Sequence, residues 1–354
     1  MEIAALIPAP DAIPVHWLWL QLLLTLTTFL HLVAMNLMLG SGIIALATPY
    51  SSGGEAVALR RDIGRTLPIT IAIAINLGVA PLLFLQVLFG QYFYTSSVLM
   101  ASLWLTLVGL LIVAYYSSYL FTIRYECLGK SQFLIGISVV FLALVAFIFT
   151  NNLSLMQQPA SWSAWFANRS GWLVNLGDTA LLPRYLHFLV SAVAVGGLGV
   201  AFFYEMQKRR GDDSGEKWRQ QGCNWFSYAS ILNFPIGFWF LGFIPASAYD
   251  GSTWAGRIFI LLLAATVFGI AKAIIAAQRC LVMPATVWAL ATVFFMTLAR
   301  DLLRYDYLRD YFSPAALPLK AQYSPLVLFL VLAILVGWLI WWMLKIVWRP
   351  EVNR

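Results

Sequence analysis

The chain has 354 residues, of which 61% are hydrophobic and only 10% charged, far below the roughly 25% charged share of a soluble globular chain. Lipid is therefore the expected solvent for most of it, and the soluble globular classes are excluded for the chain as a whole. The net charge of +7 would suit nucleic acid, but the placement of the cations argues against that partner.

Crossing the hydrocarbon core takes about 20 mostly apolar residues. In chain order such spans are predicted at about 15–48, 68–90, 98–123, 132–150, 183–206, 225–245, 255–277, 284–300 and 324–347. The opening MEIAALIPAPDAIPVH lacks the basic region of a removable secretory signal, so the first helix is expected to be retained. With the amino terminus outside, the inner segments collect Arg60, Arg61, Arg65, Arg124, Lys130, Lys208, Arg209, Arg210, Lys217, Arg219, Arg279, Lys345, Arg349 and Arg354. The outer segments hold fewer cations. This is the positive-inside pattern of a multi-pass protein of a bacterial inner membrane, with the carboxyl terminus inside, and it leaves no role for nucleic acid.

An internal repeat organises these spans. The first reads FLHLVAMNLMLGSG and the fifth YLHFLVSAVAVGGLG, so that His31 and His187 stand 156 residues apart and each has glycine nine residues on, at Gly40 and Gly196. The following span of each half carries Asn and Pro: Asn76 with Pro81, and Asn233 with Pro235. An even number of spans per half brings both repeats in from one side, giving parallel halves. The expected fold is all-α: a four-helix bundle over 15–150, an outer Trp-rich connection over 151–182, a second bundle over 183–302, and an outer loop, ninth helix and inner tail over 303–354. Trp162, Trp165 and Trp172 in the connection read as an aromatic belt at the headgroups or as a partner platform. The run QKRRGDDSGEKWRQQG reads as a solvated hinge.

Cys127, Cys223 and Cys280 are widely separated and form no C-x-x-C or C-x-x-C-H pattern. Disulfides, a zinc cluster and covalent c-type haem are therefore not expected. Ionisable groups inside spans are costly and by default functional. His31 and His187 are two of only three histidines, and their matched positions point to ligation of haem iron. Read alone, each could be a hydrogen-bonded core residue. Glycine nine residues on leaves room for a flat ring or for close helix packing. His16, beside Trp17 and Trp19, reads as interfacial. Arg184, Arg300 and Arg304 at the outer ends of spans five and eight could pair with haem propionates, because guanidinium binds carboxylate bidentately; the bland alternative is loop surface charge. Asp301 and Glu126 are read as lying beyond span ends, and no carboxylate chain for protons can be drawn through the spans.

The stretches around His31, NLGVAPLLFLQVLFGQYFYTSS at 76–97 and PRYLHFLVSAVAVGG at 183–197 resemble subunit I of the cytochrome bd quinol oxidases. The resemblance covers about residues 15–305. It implies nine helices, an outer amino terminus, His31 on the active-site haem and His187 on the low-spin haem. The departures carry information too. Only a short turn from Ala246 to Ala255 stands where the family's quinol loop would be, and span three lacks the family's glutamates. Phe259 stands two after Arg257, where a methionine ligand is expected, and Met296 and Thr297 stand near the place of the family's glutamate haem ligand. Met296 is the soft ligand nearby.

The reading that follows is a b-type cytochrome subunit with one or two haems b. It would pass electrons between the quinone pool and an outer redox partner, a c-type cytochrome or other subunit of a hetero-oligomeric complex. A non-haem transporter or anchor, and a small terminal reductase with a gas-reactive haem at His31, stand as alternatives.

Overall fold

A computed structural model describes residues 3–48, 53–124, 132–167 and 169–347. The chain is an all-α, multi-pass membrane protein. Its long helices, among the described residues, are α1 (Trp17–Ala47), α2 (Gly53–Leu99), α3 (Ala101–Arg124), α4 (Gln132–Gln157), α5 (Leu181–Arg209), α6 (Glu216–Leu241), α7 (Trp254–Gln278), α8 (Val282–Leu308) and α9 (Tyr323–Val347). Eight of them are long and apolar enough to cross a bilayer. The exception, α6, opens with Glu216, Lys217 and Arg219 and carries Gln220, Gln221, Asn224 and Asn233. It is packed chiefly against α5.

Local chemistry sets the helix starts. The first four N–H groups of a helix have no partner within it, so Pro183, Pro284 and Pro325 are tolerated at the third positions of α5, α8 and α9. Thr253 caps α7 by accepting from Gly256 N at 3.0 Å. His16 caps α1, its Nδ1 accepting from Leu18 N at 3.3 Å, which gives this histidine a structural role that interfacial placement alone did not suggest. In α2 the helix runs on past Pro81 and kinks at Phe89 (φ −131°, ψ 31°).

The packing follows the sequence repeat. Within the first half α1 packs on α2 and α3 on α4; within the second α5 packs on α6 and α7 on α8; α1 against α5 joins the halves. Both α1 and α5 run in the same direction. At one end of the bundle the Tyr204 hydroxyl at the close of α5 bonds Asp62 near the start of α2 at 3.0 Å, and Gln132 at the start of α4 bonds the Leu46 carbonyl at 2.9 Å. This end holds Arg60, Arg61, Lys208, Arg209 and Arg219 and is called the basic end below. At the opposite, amino-terminal end, Ile13 N bonds Pro318 O at 2.8 Å, tying the chain start to the α8–α9 connection. Helix α9 stands apart with exposed side chains along its length and meets α2 through an edge-on pair of Phe84 and Phe329, ring centroids 5.6 Å apart.

Several sequence expectations change here. The boundary expected at 150 falls inside α4, which runs to Gln157, and the boundary at 302 falls inside α8, which runs to Leu308. Trp162 is not a belt residue: it is buried and donates its indole N–H to Leu155 O at 2.8 Å. Trp172 is exposed, as a belt residue would be. The charged run expected as a hinge is mostly helix, with 210–215 alone left between α5 and α6. Cys127, Lys130, Glu126, Arg349 and Arg354 lie outside the described residues.

The α5–α6 connection is held by Glu216, which accepts from Lys208 Nζ at 2.9 Å and from Arg219 Nε at 3.0 Å. Those bonds, Arg219's first, pull the Glu216 carboxyl down from 4.5 to about 2. Because the folded value is depressed, the stabilisation is full above about pH 4.5 and fades as pH falls toward 2. Glu216→Gln, which removes the charge and keeps the shape, is expected to raise amide hydrogen exchange across 210–215 at neutral pH. The effect should be local, since Lys208 and Glu216 are largely exposed and their attraction is screened.

Candidate functional site

The two repeat glycines meet. A Cβ on Gly40 would run into the Ala192 carbonyl oxygen, and a Cβ on Gly196 would overlap the Gly40 carbonyl carbon. Backbones approach this closely only where both side chains are hydrogen. Of the two uses expected for these positions, the geometry is that of helix packing: the glycines form the crossing point of α1 and α5.

Nine residues before that crossing on each helix stands a histidine. His31 Nδ1 lies 3.0 Å from the carbonyl oxygen of Ala74 on α2. Since a carbonyl only accepts, Nδ1 carries the proton and Nε2 keeps its lone pair. The ring rests on Gly78, where a Cβ would fall 2.9 Å from His31 Cε1. In the second half the ring of His187 rests on Gly237 of α6 in the same way, with a Cβ there 3.3 Å from His187 Cε1. Its Nδ1 faces the backbone of Asn233 without a hydrogen bond of ordinary geometry.

Glycine has a specific job in these seats. A helical Cβ leans toward the helix amino terminus, so each side chain shades the turn before its own Cα. At position i+4, Gly78 uncovers the carbonyl of Ala74, and Gly237 uncovers that of Asn233. The sequence match of Asn76 with Asn233 is thus two residues out of register with the structure. By their relation to the histidines, Ala74 corresponds to Asn233 and Gly78 to Gly237. Asn76 instead faces outward and bonds its own helix at Ala72 O, 2.8 Å away, while Asn233 Nδ2 bonds Ser191 Oγ at 2.7 Å.

The three arginines singled out from the sequence come together, and they are not loop surface charge. Arg300 and Arg304 lie within α8, and Arg184 lies in the first turn of α5. The charges of Arg184, Arg304 and Asp301 all act on Arg300, whose own charge acts on His31. Arg304 is 2% exposed, lies over the Phe89 ring at 4.7 Å and pairs with Asp301. Asp301 also accepts from Thr25 Oγ1 and, at 3.1 Å, from Gln21 Nε2 of α1. The expectation that Asp301 lies beyond its span is therefore corrected: α8 carries it inward because α1 offers two side-chain donors. The group remains rich in unpartnered donors. Arg304 Nε and both Arg184 Nη atoms are buried and make no hydrogen bond of ordinary geometry, although Arg184 lies over the Phe240 ring at 5.4 Å and beside Tyr307. A buried donor left unpaired costs about 1–3 kcal/mol, and such donors are chemically suited to an anionic group.

Met296 is half-buried on α8, one turn inside Arg300 on the same face. Cys223 and Cys280 are both free. Cys223 and Cys280, far apart in sequence, bring their sulfurs to 3.4 Å at the basic end.

Chemically, the amino-terminal half of the bundle thus offers two imidazoles in glycine seats, one with its Nδ1 proton held and its Nε2 lone pair left free, beside a buried guanidinium cluster suited to carboxylates. The seats Gly78 and Gly237 escaped the sequence reading; the one available signal was a glycine in the helix after each histidine, 159 residues apart. No protein-family model and no curated protein matches this chain.

Proposed function

We propose that this chain is a membrane b-type cytochrome subunit in which His31 and His187 hold haem iron. Electrons would pass between the quinone pool and a redox partner, a c-type cytochrome on another chain, docked at the amino-terminal end. The observation that carries this reading is the histidine seat built twice: a ring on the i+4 glycine of the next helix, facing the carbonyl that glycine uncovers. When bound, haem supplies the one-electron carrier that these side chains lack.

The residues present fit that group. The Nδ1–H bond to Ala74 fixes the His31 tautomer and ring plane and presents Nε2 outward, as the outer-shell partners of metal-ligating histidines do. Arg184 and Arg304 hold the unpartnered N–H groups that would orient propionate carboxylates through paired hydrogen bonds, and Arg300 adds charge beside His31. Met296, half-buried on α8 one turn from Arg300, would offer a soft sulfur as a further ligand. The resemblance to subunit I of the cytochrome bd oxidases assigns the same two histidines. By the positive-inside rule the basic end would face the cytoplasm of a bacterial cell; the redox partner would then dock on the outer side, the chain being one subunit of a hetero-oligomeric complex.

The test is a reduced-minus-oxidised optical spectrum of the purified protein with pyridine haemochrome quantitation. A b-type spectrum with one or two haems per chain is expected. Folded protein from haem-replete cells that carries no haem overturns the reading.

A further inference from the structure

At the basic end, away from the histidines, α7 closes on a cysteine in an unusual backbone state. Cys280 N bonds Ala277 O at 2.8 Å and Leu281 N bonds Ala276 O at 2.9 Å, the paired bonds of a Schellman cap with Arg279 as C-cap. The residue after the cap takes a left-handed conformation, and Cys280 does so with φ +52°. Glycine is the residue that suits this position, because a Cβ there crowds the following carbonyl oxygen. The Cys280 sulfur stands 3.4 Å from that of Cys223 on α6. Cys223 is buried, while Cys280 is partly exposed and lines a cleft of ≈ 420 Å³ with Lys208, Arg209, Arg219, Glu205 and Met283. Three cations and one carboxylate line this cleft; Arg209 and Arg219 pair with Glu205 and Lys208 with the neighbouring Glu216, leaving the group one positive charge in excess, and Arg219 Nη1 holds the Cys280 carbonyl at 3.0 Å.

We propose that Cys223 and Cys280 are a redox-active dithiol that exchanges with small anionic disulfides entering this cleft. The Cys280 thiol, as thiolate after losing its proton, attacks one sulfur of the small disulfide. That S–S bond breaks, one small thiol leaves with a proton, and a mixed disulfide remains on Cys280. Cys223, the buried resolving thiol, then attacks Cys280 Sγ and displaces the second small thiol. Two cysteine thiols are oxidised to one disulfide, and the two electrons and two protons leave on the two small thiols. The new bond fastens α6 to the α7–α8 turn. In a reducing compartment such a pair rests as thiols and closes only under oxidising load.

The experiment uses the purified full chain in detergent with oxidised glutathione as the anionic disulfide. Free thiols are counted, and the cross-linked peptides are identified by mass spectrometry. The three thiols of the chain are expected to fall to one, with the link joining Cys223 and Cys280. In Cys223→Ser, glutathione should stay attached to Cys280. Cys280→Gly, which suits the left-handed cap and so keeps the fold, should form neither product. Oxidised 2-mercaptoethanol, a neutral disulfide, should react more slowly by on the order of tenfold, as expected when cationic walls raise the local concentration of an anion. Three persistent thiols, a link to Cys127 or a link between chains overturns the proposal; equal rates with the neutral disulfide overturn the role of the cleft.

Discussion

Gly40→Ala is expected to prevent the two halves from closing on each other, lowering stability by more than the usual overpacking cost of about 1–3 kcal/mol. The added methyl would collide with the Ala192 carbonyl, which is backbone and cannot swing aside as a side chain would. Relief requires α1 and α5 to separate, and that separation would open the apolar cluster of Met38, Leu39, Ala45, Ala192 and Val200. Gly196→Ala should behave alike, and the double variant should cost less than the sum of the singles, because one separation relieves both clashes. Gly109→Ala in α3 is the matched control: a Cβ there meets nothing within 4 Å, so stability should hold or rise. Detergent-solubilised thermal unfolding of the four variants checks the order.

His31→Ala and His187→Ala are each expected to remove b-type haem, read as a drop in pyridine haemochrome per chain and as loss of the matching part of the reduced-minus-oxidised spectrum. The loss should be nearly complete at the altered site, since the porphyrin is then left without its protein nitrogen. Gly78→Ala is the finer probe. It leaves His31 in place but sets a methyl 2.9 Å from its Cε1, closer than carbon atoms tolerate. The ring must turn off Ala74 O, so the spectrum should shift and haem should bind less tightly while His187 is unaffected. Unchanged haem content and spectrum in both alanine variants would refute ligation by these histidines.

How much of this arrangement could be read in advance depended on whether a feature was local. Long apolar runs announced the helices, and the histidines with glycine nine residues on announced the α1–α5 match, because both patterns lie within one segment. The charged end of α8 looked like a loop. Arg300, Asp301 and Arg304 become credible helix residues only once Gln21 and Thr25 of α1 are beside Asp301, a partnership across nearly the whole chain. Trp162 looked interfacial for the same reason, its partner carbonyl at Leu155 being invisible until the chain turns back. The match of Asn76 with Asn233 failed because letter identity cannot fix which helix face meets a neighbour; a slip of two residues turns the face by more than half a turn. The contact of Cys223 with Cys280 likewise depends on how α6 and the α7–α8 turn converge.

The crossing of α1 and α5 also fixes a depth. His31 and His187 both precede it by nine residues, about 13.5 Å along each helix, although His31 is well inside α1 and His187 near the start of α5. Measured from the shared contact, the two imidazoles stand level along the bundle. An electron passing between carriers at these places would travel parallel to the membrane plane and cross almost none of the transmembrane voltage, which is worth about 2.3 kcal/mol per charge per 100 mV along the normal. That transfer would be electrically silent, its rate indifferent to membrane potential and its free energy unavailable for charging the membrane.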